Sequence, residues 1–229
     1  MTGVADALPA TTIRAAVAGA IQALLEHPVP LIAANIAWGA IALTAWLASF
    51  VAAPVAIVLA VLLAWPAAAL AGVAGRVLRD VDVSLRDALR WPVRRPAVAV
   101  LAVLAVLCAV VGVVNIQAAL ARADLLGVAF ATVAAWGLVA LGVVASVAWP
   151  LVGDPRRDGL GVTGILRLAV MVVLLRTPRI AATCLVVWCF LLVSTVLAAA
   201  LLTVSVAIAA LVLSRVVLPI ADALDTGLV

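Results

Sequence analysis

Long apolar runs alternate along this chain with short stretches that hold nearly all of its charge, and the lengths of those runs set the architecture. From Thr11 to Glu26 the pattern is helical, with Ile13, Val17, Ile21 and Leu24 on one face and Arg14, Gln22 and Glu26 elsewhere. That spacing predicts an amphipathic helix over 11–27 lying in a membrane interface, ended by His27, Pro28 and Pro30. Apolar runs at about 29–50, 54–75, 97–116 and 125–152 are each long enough to cross the roughly 30 Å hydrocarbon layer. Pro66 predicts a kink in the second. The last run, 180–214, would reach roughly 52 Å as one helix, too far for a single upright crossing, so two spans at about 180–197 and 199–217 are expected. Arg215 and the C-terminal stretch then return to the arginine-bearing side.

The segments between these runs are amphipathic rather than merely polar. In 76–96, Ser84 and Asp87 have the spacing of a helix cap, and Leu85, Ala88 and Leu89 recur at helical intervals. A second such segment covers 153–179. Three times the chain writes an aliphatic residue before arginine (Ile13-Arg14, Leu85-Arg86, Leu166-Arg167), then a proline that opens an apolar hairpin (Pro28, Pro96, Pro178). A further proline stands near each hairpin's end (Pro66, Pro150, Pro219). The expected fold is therefore all-α, a polytopic membrane helix bundle of about six spans in three pseudo-repeated hairpins, each preceded by an interfacial amphipathic helix, in one transmembrane domain over 1–229. Internal pseudosymmetry of this kind is common in transporters.

Composition agrees: 69% of the 229 residues are hydrophobic and 10% charged, with a mean hydropathy of +1.41, whereas soluble domains have about 25% charged residues. All fourteen basic residues are arginine, and thirteen fall on one side of the membrane that the apolar runs define; the exception, Arg122, has Asp124 close by as counter-charge. Arginines near the ends of spans are retained in the cytoplasm, so both termini are expected there, in a bacterial inner membrane. Arginine-only, alanine-rich usage points to a GC-rich bacterial genome. A charge of +4 on short loops between apolar spans faces anionic headgroups at about 1 kcal/mol per arginine, not nucleic acid.

Candidate chemistry is sparse. The central parts of the expected spans hold no Asp, Glu, Arg or His, the usual carriers of proton relays and ion coupling. Polar side chains at depth, among them Thr44, Thr132, Ser146, Thr183 and Thr195, are expected to bond neighbouring helices or the carbonyl one turn back. Asn35 is the candidate intramembrane contact, because an amide in apolar surroundings demands a partner. Cys108, Cys184 and Cys189 have no CxxC partner, and His27 has no companion at metal spacing, so neither a metal nor a cofactor is expected and no catalytic constellation is visible. Gly72 and Gly75 read as close helix packing. Trp46, Trp65, Trp149 and Trp188 read as interfacial aromatics. The candidate partner or lipid contacts are Arg86, Arg90, Arg94, Arg95, Arg167, Arg176 and Arg179.

The run Asn35-Ile36-Ala37-Trp38, the run from Pro66 to Leu70 ahead of Arg76, and the segment from Val83 to Leu89 before a basic-Pro pair resemble the YesL-like family of bacterial integral membrane proteins. The chain departs from that family's Pro and Thr-Gly turn after the first span, having Ser49 to Pro54 instead. The resemblance implies a place beside carbohydrate uptake systems and brings no active-site residue with it. Two readings follow: a non-enzymatic accessory or scaffold protein, with a membrane transporter subunit as its expected partner, whose arginine-rich helices dock that partner or anionic lipid; or a small-solute carrier or channel with a weakly polar path between hairpins.

Overall fold

The computed structural model describes residues 12–81, 83, 84, 86, 90–92, 95–197 and 204–226, and among these there is no strand. Helix α1, Ile13–Glu26, begins where the Thr12 hydroxyl accepts from the Ala15 N–H at 3.2 Å. His27 separates it from α2, Pro28–Ser49. Then come α3, Ala53–Leu62, and α4, Ala64–Val77; α5, Pro96–Leu120; α6, Leu125–Gly153; α7, Val162–Leu175; α8, Thr177–Val196; and α9, Val206–Asp225. Six crossings have the length and apolarity to span a bilayer, α3 and α4 together making one of them. The first helix of every hairpin starts with proline in its opening turn, where a missing N–H costs nothing.

The last apolar run does divide into two crossings, α8 and α9, with most of the expected turn outside the described residues. The start of the sixth crossing expected at 199 lies outside the described residues, but the crossing does not stop at 217. It runs from Val206 through Arg215 and Pro219 to Asp225. Pro66 and Pro150 likewise lie inside α4 and α6 and end neither. Pro66 has no N–H to give the Leu62 carbonyl, and the crossing breaks at Leu63, as a proline clash predicts. Around Pro219, Val216, Val217, Leu218, Ile220 and Ala221 are all buried, so packing keeps α9 continuous past a lost hydrogen bond. The third crossing also runs beyond 116 to Leu120, and the turn narrows to 121–124, with Ala123 at a φ of 52°. There Arg122 pairs with Asp124 at 3.3 Å, as expected.

The second helices of the three hairpins, α4, α6 and α9, touch one another and form the centre. Their contacts are close because the facing residues are small. A Cβ on Gly75 would stand 2.5 Å from the Gly153 carbonyl oxygen, and one on Gly153 would run into the Ala71 backbone. Lipid is as apolar as leucine, so helices associate there by fit rather than by hydrophobic exclusion, and small residues permit that fit. Larger side chains turn outward instead, as with Phe130 and Trp136, 61% and 69% exposed.

The amphipathic segments close the bundle in a cyclic order. Helix α7, from the third copy, packs on α6 of the second and buries Ile165, Ala169 and Val172. Trp91, in the second copy's segment, lies over Gly72 of α4 in the first. Helix α1, from the first copy, packs on α9 of the third. Each copy thus covers the preceding hairpin's inner helix. The buried stripe of α1 is Ala16, Ala20 and Ala23, while Ile21 points outward. Small residues take the closest helix contact, while Val17 and Leu24 of the expected apolar face pack partly buried against the same core.

Candidate functional site: the charged end of the bundle

The C-terminal ends of α4, α6 and α9 bring their charges together. After α4 the chain turns with the Val81 N–H on the Arg76 carbonyl at 3.0 Å and Asp80 in the left-handed region at φ 53°, a closing turn in which aspartate is tolerated. That turn sets Arg79 across the bundle. Its guanidinium donates to Asp154, just beyond α6, at 2.8 Å and to Asp222 on α9 at 2.7 and 2.8 Å. Arg157 completes the group by donating to Asp154, to Asp222 at 2.9 Å and to Asp225 at 2.5 Å. Asp154 is fully buried and also accepts the Arg156 N–H at 3.1 Å. The bonds from Asp222, opposed by burial and aided by Asp154, hold Arg79 above its ordinary arginine value. It stays charged at any working pH.

Of the arginines expected to meet a partner or lipid, Arg95 does not. It is buried, and it donates to the backbone carbonyls of Val152 and Arg157, pairs with Asp158 at 3.3 Å and lies 5.4 Å from the Trp91 ring centre. The carbonyls of the last turn of α6 have no helical partner, and a guanidinium beside them satisfies both their lone pairs and the negative end of the helix dipole. Arg86, Arg90 and Arg167 are exposed. Arg176 and Arg179 are half-buried, Arg176 standing between α7 and α8. Arg94 and Asp87, with the expected Ser84–Asp87 cap, lie outside the described residues.

Asn35 has its demanded partner. Its Oδ1 accepts the Ala207 N–H at 2.8 Å, satisfying one of the orphan donors at the start of α9 from a neighbouring crossing. The hydroxyls at depth bond as expected: Thr44 to the Ala40 carbonyl, Thr132 to Val128 and Thr183 to Arg179, each at 2.8 Å. Trp188 is an interior residue rather than a belt one, donating to the Ser146 hydroxyl at 3.2 Å. No group of His, Cys, Asp or Glu able to hold a metal occurs among the described residues.

Sequence reasoning missed Arg79, Asp154, Arg157, Asp222 and Asp225 as a unit. The available signal was that charges of opposite sign stand at or just beyond the ends of these helices, Arg79 after α4, Asp154 and Arg157 after α6, and Asp222 and Asp225 in the last turn of α9. No family model, curated protein or solved structure matches the chain.

Proposed function

We propose that this is a non-catalytic accessory protein of the bacterial inner membrane, with both termini in the cytoplasm, that docks a partner through its arginine-rich face. One observation carries the reading. The internal ion pairs consume Arg79, Arg95 and Arg157, whereas Arg14, Arg86, Arg90 and Arg167 remain exposed without a carboxylate partner among the described residues. A protein that needed only an orienting charge could have paired these arginines too; left open, they offer a cationic surface to an acidic protein segment or to anionic headgroups.

The committed hydrogen bonds of Asn35, Thr44, Thr132 and Thr183 favour this reading over a polar solute path. The resemblance to the YesL-like family supplies the partner class, a carbohydrate uptake system. The test is a triple variant, Arg86→Gln, Arg90→Gln and Arg167→Gln, in a tagged chain expressed with its native neighbours. Membrane insertion and thermal stability should stay unchanged while co-purifying transporter subunits are lost. Retention of those subunits by the variant would refute the proposal.

A further inference from the structure

Arg215, expected at the exit from the membrane, lies midway along α9. Its guanidinium rests against Gly19 of α1: a Cβ on Gly19 would come within 2.6 Å of Nη1 and 2.7 Å of Cζ. The crossing of α1 over α9 is thus shaped around this side chain. Arg215 forms no ion pair among the described residues, and its buried Nε has no hydrogen-bond partner. Beside it Ser214 is fully buried, and its Oγ also has no partner, although serine in a helix ordinarily bonds the carbonyl one turn back. Both residues line a cavity of about 200 Å³, with Leu78, Arg79, Leu218 and Pro219.

Arg215 is half-buried with its Nε enclosed and unpartnered, the Ser214 hydroxyl is fully buried and orphaned, and the two share one cavity; an orphaned buried polar group is costly. Water would satisfy the hydroxyl but not the charge. An oxyanion satisfies both, because the guanidinium fork matches phosphate oxygens and the serine O–H supplies a donor from a second direction. Arg79, also on the wall, keeps its donors on Asp154 and Asp222, which compensate its charge, so Arg215 is the cation left for an anion. The lining comes from α9 and the end of α4, and α1 stands beside it where Gly19 meets Arg215. The geometry points to a phosphate-ester binding site in the cavity between α9 and the end of α4, with the phosphate held by Arg215 and Ser214. The ester could be a lipid headgroup or a soluble phosphate, since the recognising chemistry is the same.

The experiment measures thermal unfolding of the purified full chain in neutral detergent. It is repeated with phosphatidylglycerol, with phosphate-free diacylglycerol and with glycerol 3-phosphate. Native protein, Ser214→Ala, Arg215→Gln and the Arg86/Arg90/Arg167 triple variant are compared. Ser214→Ala removes a hydroxyl that bonds nothing, so it keeps the fold without ligand and keeps the test valid should Arg215→Gln misfold. Stabilisation by phosphatidylglycerol but not diacylglycerol, persisting in the triple variant and weakened about 10-fold in apparent affinity by Ser214→Ala, would support a lipid phosphate in the site. The same pattern with glycerol 3-phosphate would support a soluble ester. No stabilisation by any phosphate, or a shift that Ser214→Ala and Arg215→Gln leave intact, would overturn the site. Loss only in the triple variant would also overturn it, assigning the lipid to the outer arginine face.

Discussion

Arg79 and Asp154 meet at 2.8 Å across the junction of the first and second hairpins, with none of the aspartate side chain exposed and 12% of the arginine's. Breaking a buried pair leaves the other charge uncompensated, which typically costs about 3–5 kcal/mol. Asp154→Ala should therefore lower the unfolding midpoint steeply, because Arg157 also loses its partner there. Asp222→Ala should cost less, since its side chain is 30% exposed. A double-mutant cycle on Arg79 and Asp154 should give a coupling energy well above the 1 kcal/mol ceiling of exposed pairs. Equal, small effects for both aspartates would show the cluster to be a surface feature.

How far this centre could be read in advance depends on the distance over which the chain makes its contacts. The crossings were legible because bilayer thickness alone fixes their length, and the opening prolines at 28, 96 and 178 act locally. The ion cluster was not, because Arg79, Asp154 and Asp222 are far apart in sequence and only the packing of α4, α6 and α9 brings them together. Arg95 read as a surface cation for the same reason: what buries it are carbonyls at the end of α6. Arg215 was taken as the exit from the membrane, whereas α9 continues through it with its buried face unbroken.

Close packing of the inner helices makes Gly153 and Gly137 an informative contrast. Gly153→Ala places a methyl against the Ala71 backbone, which can yield only if α4 and α6 separate, so a loss of about 1–3 kcal/mol is expected. Gly137→Ala, in the same helix, meets nothing within 4 Å and should be neutral or stabilising by up to about 1 kcal/mol. Thermal unfolding of the two variants in one detergent decides the matter. A similar midpoint for both would mean that α4 and α6 do not approach this closely.

Asn35 holds the start of α9 through the Ala207 N–H. Asn35→Ala leaves a buried donor with no acceptor and should destabilise by about 1–3 kcal/mol. Hydrogen exchange should locate the effect at the first turn of α9. Unchanged exchange there, with a changed solute flux in liposomes, would instead make Asn35 a lining residue and revive the carrier reading.

The account rests on six crossings whose inner helices bring the arginine-rich connections to one side, and cysteine accessibility in intact cells tests that most directly. With Cys108, Cys184 and Cys189 replaced by alanine, Gly159→Cys, where a side chain has open space, and Ala121→Cys, in the turn after α5, are labelled with a membrane-impermeant maleimide. The account predicts that Ala121→Cys reacts in intact cells and Gly159→Cys only after the membrane is opened. Labelling of both positions from outside, or of Gly159→Cys alone, would contradict it.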